Sequence, residues 1–484
     1  MVFSSISFLL YFLPTFLFFY FLSSKKNKNW VILAFSIFFY SWGAPKFVFL
    51  LLASTFIDFY LVRFMHQTEA QRRKKILLGL SITLNLGLLA FFKYANFFVE
   101  NVNALISTTG GTEIQWTKIA LPIGISFYTF QTLTYSVDVY RKVHKPLERV
   151  WDYMLYIMMF PQLIAGPIVR FNSIADQIED REESYNDRLL GFYRFCIGLG
   201  KKVLIANVLG EAVASVIGSN PEAVLAIDWN LINTPIAWWC ILAYTFQIYF
   251  DFSGYSDMAI GIGRMLGFTF PENFDNPYTS RSITEFWRRW HITLGAFMRE
   301  YLYIPLGGSR IDSKARIYFN LWFVFLMSGL WHGASWNFVL WGAFHGIFLI
   351  VERVFLLSLF KKMGKIGNVI SLFYCFFVVM MGWVLFFIED IRAIGRFYRK
   401  LFGFDFSVVE SPYSTEFFVI LFIAIAFAFS TLLRPIKRVH DLVFLGEYNT
   451  WQTLVMYVVA ISLFVLSVSS IAASSFNPFI YYRF

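Results

Sequence analysis

Apolar runs of bilayer-spanning length recur from one end of this chain to the other, and the polar residues that interrupt them fall in a few places. The first run ends at Leu22 with the basic cluster KKNK behind it and no small-residue cleavage site, so it reads as a retained span with that end cytoplasmic. Trp30 to Trp42, a Gly-Ala-Pro turn and Lys46 to Met65 predict a helical hairpin between basic loops, and Lys75 to Tyr94 leaves again. Leu121 to Val139 returns carrying Gln131, Tyr135 and Asp138, a polar content tolerated at depth only against protein or a cavity. Trp151 to Val169 is cut by Pro161 and Gly166-Pro167, which predicts a broken or re-entrant segment. Gly191 to Ile217 holds Lys201 and Lys202, whose charges suggest an interfacial first half followed by a membrane half. Pro235 to Gly267 is polar at its centre (Gln247, Asp251, Ser253, Tyr255, Ser256, Asp257) and must be buried against other helices. Asp251 and Asp257, six apart, do not share a helix face, so bonding between helices suits them better than a paired-acid role. With runs near Ile366 to Phe387, Phe417 to Leu433 and Leu454 to Ser470, the count comes to roughly ten spans.

The run from Asn320 to Gly346, NLWFVFLMSGLWHGASWNFVLWGAFHG, organises the rest, because it carries His332 far from either polar end. An imidazole placed there has lost its water, so it faces a cavity or a partner and marks function. The plainer alternative is a buried histidine donating to a carbonyl of the next helix. Gly329 and Gly333, then Gly342 and Gly346, form two small-xxx-small pairs that let backbones approach closely. On one straight helix, His332 and His345 would stand roughly 20 Å apart along the axis and about 140° around it, and would not share a site. Ser335 and Trp336 would then accompany His332 on its own face.

Upstream lies FPENFDNPYTSRSITEFWRRWHITLGAFMREYLYIPLGGSR, from Phe270 to Arg310. Ser282 and Glu285 form a capping-box pattern, so a helix should start there, with Trp287, Trp290, His291 and Leu294 on one face. That helix is either an interfacial anchor with snorkelling arginines or a lid holding His291 toward a buried tunnel. In the second reading Arg281, Arg288, Arg289, Arg299 and Arg310 are available to an anionic cofactor at the cytoplasmic mouth. Gly307-Gly308-Ser309-Arg310 could cradle a phosphate, although a bare glycine pair after Pro305 is a weak sign. Asn273 and Asn276 suit Asx turns in a proline-bounded loop.

Composition narrows the class. The chain has 484 residues, 58% hydrophobic and only 15% charged, which no single soluble core would bury. The net charge of +10 sits in short connectors such as Arg72 to Lys75, which is positive-inside patterning and excludes a nucleic-acid face. Cys196, Cys240 and Cys375 lie in apolar runs without metal or redox spacing and read as core residues. The fold class is an all-α polytopic membrane protein, taken as a single membrane-embedded domain over 1–484 with its motif-bearing core at 121–346.

Six stretches in order resemble the membrane-bound O-acyltransferase family, in its alginate O-acetylation and teichoic-acid D-alanylation branch. They are Gln131 to Arg141, Phe160 to Arg170, Gln247 to Gly261, Phe286 to His291 (FWRRWH), Tyr301 to Gly308 and Trp331 to Gly346. The resemblance implies a bundle of helices around a central tunnel, with re-entrant and interfacial pieces, in a bacterial inner membrane. It implies that His332 is the catalytic histidine and His291 the branch's second histidine. Arg288, Arg289, Arg310 and Trp287, from the reading of the residues, are the candidates for holding the donor. The resemblance further implies no tightly bound cofactor, acetyl-CoA or another acyl thioester as donor, a polysaccharide acceptor, and a periplasmic acetyltransferase partner.

The chemistry suits that role: a hydroxyl is a poor nucleophile toward a thioester until a neutral imidazole removes its proton. His332 is the expected base, with His291 polarising the carbonyl or positioning a substrate. Two alternatives stand beside the enzyme. A transporter would also use polar residues in broken membrane helices, and a scaffold for periplasmic enzymes would make His332 dispensable. The acceptor polymer, the acyl chain and the oligomeric state are not legible in the residues.

Overall fold

The structure is a computed structural model that describes residues 1–218, 223–224, 226–445, 448–474 and 476–478, and its regular elements there are all helices. Among the described residues six helices are long and apolar enough to cross a membrane: Phe47–Gln67, Gln71–Thr108, Trp336–Lys362, Gly364–Phe387, Thr415–Leu432 and Thr450–Ala473. A shorter apolar helix spans Ser7–Leu22. This is fewer than the ten or so suggested by hydropathy. The reasons are local. Leu121 to Val139 supplies only the 16-residue helix Ile125–Tyr140. Trp151 to Val169 breaks at Met159, one residue before a short helix containing Pro161. The 32-residue helix Thr234–Met265 is long enough but carries the polar centre.

By its contacts the chain divides into two compact units. The first comprises Met1–Phe192 and Ala259–Pro271; the second comprises Tyr193–Met258 and the described residues from Glu272 onward. In the first unit, Phe160 is fully buried and receives the rings of Phe16, Phe12 and Phe39 with centroids 5.1, 5.3 and 5.5 Å away. Gly124 opens the helix Ile125–Tyr140 at φ +77°, where a Cβ would lie 2.6 Å from the Leu163 carbonyl, so only glycine fits. Asp58, in the middle of a membrane-length helix, is fully buried and accepts from Ser81 Oγ (2.5 Å), Tyr153 OH (2.6 Å) and Asn85 Nδ2 (2.9 Å). A carboxylate there is tolerable because donors from neighbouring helices replace its water.

The second unit supplies the partners of the lysine pair. Lys202 is 2% exposed and lies 2.7 Å from Asp251, itself 2% exposed. Lys201 and Arg194 both reach Asp257 at 2.7 Å, and Arg194 continues to Glu272 at 2.6 Å. These cations are answered by the two aspartates of Thr234–Met265, each acid serving a different turn. The helices come close enough because Gly198 and Gly254 meet backbone to backbone. A Cβ on Gly198 would sit 2.5 Å from the Gly254 carbonyl, and one on Gly254 would sit 2.7 Å from that of Gly198.

Asp251→Asn leaves a buried ammonium without its counter-charge and should destabilise the protein by about 3–5 kcal/mol, whereas the paired change Asp251→Leu with Lys202→Met should cost much less. Thermal unfolding in detergent checks this, and equal losses for the two would refute it.

Candidate active site

The stretch carrying His332 is not one helix. Lys314–His332 ends at the histidine, Gly333 to Ser335 turn, and Trp336–Val351 runs back beside it. The arms pack backbone on backbone at Gly329 and Gly342, where a Cβ on Gly342 would lie 2.5 Å from the Phe325 carbonyl. The turn is held by Asn337, which accepts from the Ser335 hydroxyl and donates to the Leu385 carbonyl at 3.1 Å. The straight-helix expectation is thereby overturned: His332 and His345 pack against the same indole, that of Trp341, with centroids at 5.1 and 5.2 Å. Ser335 belongs to the turn and Trp336 is half exposed, so neither walls His332 as expected. Its neighbours are instead Trp331 at 4.9 Å, Trp341 and Phe386 at 5.1 Å, and it is 3% exposed.

The FWRRWH segment is likewise broken. Ser282 caps the helix Ile283–Arg289 by accepting from the Glu285 amide at 3.0 Å, as the capping pattern predicts, while the Glu285 carboxylate accepts from the Arg281 amide. Glu352, fully buried on the returning arm of the hairpin, accepts from the amides of Ile283 (2.5 Å) and Thr284 (3.2 Å). An anionic side chain at a helix start offsets the dipole and satisfies orphan donors. The helix then stops. Trp290 is extended and bridges to Phe274, and His291 adopts the left-handed region at φ 47°, ψ 53°, before a second short helix, Ile292–Phe297. Such a conformation costs about 1–3 kcal/mol for a residue with a Cβ and must be held from outside. Asn273 holds it. Its backbone carbonyl accepts from Ile292 N at 3.0 Å, and its side-chain oxygen takes Thr293 Oγ1 at 2.8 Å and contacts His291 Nδ1 at 3.0 Å. Its amide donates to Ser256 at 3.1 Å, so Asn273 is a bridge and not the Asx-turn residue expected.

Because the Asn273 oxygen is an acceptor, Nδ1 of His291 carries the proton and Nε2 is the basic nitrogen. Burial pushes this imidazole down from 6.5 to about 3, so it is neutral at physiological pH. Trp331 stands between the two candidate histidines, with centroids 6.1 Å from His291 and 4.9 Å from His332. The rings form a continuous series: His291, Trp331, His332, Trp341, His345 and Trp287, the last pair at 4.9 Å.

The structure separates the four residues expected to hold a donor. Arg288 and Arg310 are exposed, whereas Arg289 pairs with Glu285 at 2.7 Å and donates to Thr279 Oγ1 at 2.9 Å. Trp287 belongs to the aromatic cluster, against Trp341 at 5.3 Å. Gly307 and Gly308 do not form a phosphate cradle, because their amides already bond the carbonyls of Ile304 and Tyr303 at 2.9 Å each. No metal-binding group of three or more His, Cys, Asp or Glu occurs among the described residues. Sequence reasoning missed Glu352 and Trp341 and gave Asn273 only a turn. An acid inside the apolar run FLIVERVF was the available sign for the first, and the i, i+4 spacing of Trp341 and His345 for the second.

A multi-pass helical protein with a buried histidine at the turn of a helical hairpin is a class that several chemistries share, and sequence comparison decides among them. The chain belongs to the membrane-bound O-acyltransferase family, whose sequence profile matches residues 76–388 and so includes every candidate residue above. It is therefore an enzyme, an O-acyltransferase, and the transporter and scaffold alternatives are set aside. Over the full length of both chains it is 37% identical to a Pseudomonas putida protein named probable alginate O-acetylase AlgI. It is 35% identical to the peptidoglycan O-acetyltransferase of Helicobacter pylori, over 84% of this chain and 80% of that one. A teichoic acid D-alanyltransferase of Streptococcus thermophilus is 26% identical over 56% of this chain and 69% of its own.

Two outcomes follow from the geometry. Glu352→Ala removes the acceptor for two helix-start amides and should cost about 1–2 kcal/mol, with faster proteolysis between Ile283 and Phe297; unchanged melting and cleavage would contradict the capping role. Below pH 6.5 the unfolded chain takes up a proton at His291 that the folded chain refuses, so the stability contributed there is complete above 6.5 and is lost as pH falls toward 3. His291→Gln should accordingly flatten the dependence of melting temperature on pH between about 4 and 6, and parallel curves would place the acid sensitivity elsewhere.

Proposed function

We propose that this enzyme moves an acetyl group from a cytoplasmic acyl thioester, acetyl-CoA, to hydroxyl groups of an extracytoplasmic polysaccharide, directly or through a periplasmic acetyltransferase partner. Its membrane is then the bacterial inner membrane, since only there do the donor and the acceptor lie on opposite faces. The names of the alginate and peptidoglycan relatives support a polysaccharide acceptor and an acetyl group.

The observation that carries the mechanism is His332 at the end of the first hairpin arm, enclosed by Trp331, Trp341 and Phe386. In this reading His332 takes the proton of the acceptor hydroxyl as its oxygen bonds the thioester carbon. The carbon–sulfur bond then breaks, and the same imidazolium returns the proton to the departing thiolate. Products are an ester and a thiol, and the base is regenerated. A base in this position typically contributes about a hundred- to ten-thousand-fold. His291, across Trp331 and fixed at Nδ1 by Asn273, positions a substrate. Arg288 and Arg310, exposed and charged, are the candidates for the phosphates of the donor, with Arg289 committed to Glu285.

His332→Ala should lower acetylation of the cell's exopolysaccharide by at least ~100-fold while the protein's level in the membrane fraction is unchanged. Mass analysis of the polymer from cells carrying either form checks this, and near-wild-type acetylation would remove His332 from the mechanism.

A further inference from the structure

Beside His332, three rings hold polar atoms that no described residue answers. The indole nitrogens of Trp287 and Trp341 and both ring nitrogens of His345 are buried with no hydrogen-bond partner among the described residues. They lie together. Trp287 and Trp341 are 5.3 Å apart by ring centroid, Trp287 and His345 4.9 Å, and Trp341 and His345 5.2 Å. His345 is fully buried and Trp341 is 1% exposed. Buried polar groups in native proteins are almost always bonded, and an unanswered donor is destabilising. Three contacting residues that all break this rule call for an explanation, because a phenyl ring in place of either indole would have no donor to satisfy. Other buried polar groups close by are answered: Asn337 has Ser335 and Leu385, Glu352 has Ile283 and Thr284, and the nitrogen of Trp383 donates to Tyr278 OH at 3.2 Å.

The cluster adjoins the proposed base, since the Trp341 indole that contacts His345 also contacts His332. An indole nitrogen donates and cannot accept, so a pair of them suits an oxygen that gains negative charge and never carries a proton. We propose that Trp287, Trp341 and His345 form the pocket for the carbonyl oxygen of the acyl donor, with the two indole N–H groups facing the charge that develops on it. The proposal rests on the assignment of His332 as base. As the acceptor oxygen bonds the acyl carbon, the carbonyl π pair moves onto this oxygen. It returns when the carbon–sulfur bond breaks and the thiolate leaves with the proton held by His332. Donors fixed beforehand in a site from which water is excluded stabilise that oxyanion without having to reorganise. His345 supplies a third N–H from one nitrogen, and Gly382 admits the ring, because a Cβ there would lie 2.5 Å from His345 Nε2.

The test uses the full-length protein in membrane vesicles that contain its native envelope polymers, with acetyl-CoA as the probe and thiol release as the signal. Two changes are made at position 341: Trp341→Phe, and replacement by benzothienylalanine, which keeps the bicyclic shape and lacks the N–H. Trp287→Phe is measured alongside. Each should lower kcat by ~100- to 1,000-fold, with KM for acetyl-CoA within about threefold of wild type. The benzothienyl protein should melt at the wild-type temperature, which a merely structural N–H would not allow. A benzothienyl protein with wild-type kcat, or one that loses kcat only in proportion to lost folded protein, overturns the proposal. His332→Ala separates the two claims. If it is inactive while the Trp341 variants are normal, only the carbonyl pocket fails; if it is active, the base assignment fails and the pocket with it. Absence of thiol release by the wild-type protein overturns the donor assignment and this inference together.

Discussion

A polar group carried into a lipid-embedded bundle has no solvent to fall back on, so its partner must arrive on another helix. That requirement fixes much of this protein. Asp58 draws hydroxyl and amide donors from three other helices, Lys202 and Asp251 neutralise each other with both side chains 2% exposed, and Glu352 caps a helix nearly seventy residues earlier in the chain. Each contact is a joint between elements distant in sequence, and losing one partner strands the other. The joints therefore specify which helices neighbour which, something uniform apolar surfaces cannot do.

The candidate catalytic region is assembled by two interruptions of helical geometry. One is the turn at Gly333 to Ser335, which folds the histidine-bearing run back on itself. The other is the left-handed residue at His291, held by Asn273. Without the first, His332 and His345 would sit on remote turns; without the second, the His291 ring would follow the helix Ile283–Arg289 away from Asn273. Glu352 links the two interruptions, because it lies on the returning arm of the hairpin and holds the start of the helix that leads to His291. Strain at one residue is thus offset by bonds from several others, a common arrangement where geometry serves chemistry.

Much of the architecture was legible in the residues, and what was not has definite causes. Hydropathy found the helical membrane class, Pro161 marked a real break, and the polar centre of Thr234–Met265 marked a buried helix. The capping serine at 282 was correctly placed. The hydropathy count of roughly ten exceeds the six described helices that are long and apolar enough to cross a membrane, because apolar runs can be short or can carry paired charges and hydropathy averages over both. The partners of Lys201 and Lys202 were not legible because their acids lie some fifty residues away, and no local pattern reports a contact of that range. The hairpin was missed for a similar reason: Gly-Ala-Ser in an apolar run has no proline or charge to announce a turn, and the glycines that permit the close return also fit a continuous helix. His332 and His291 stood out individually, but their relation through Trp331 depends on both interruptions together.

The absent side chain at Gly382 has a consequence of its own. The helix Gly364–Phe387 presents bare backbone to the edge of the His345 imidazole, so that helix serves as the back wall against which the ring is seated. A methyl group at this position would lie 2.5 Å from Nε2, so either the ring or the span would have to shift. The same span also carries Phe386 against His332 and the Leu385 carbonyl that holds Asn337, so a single helix seats both histidines of the hairpin.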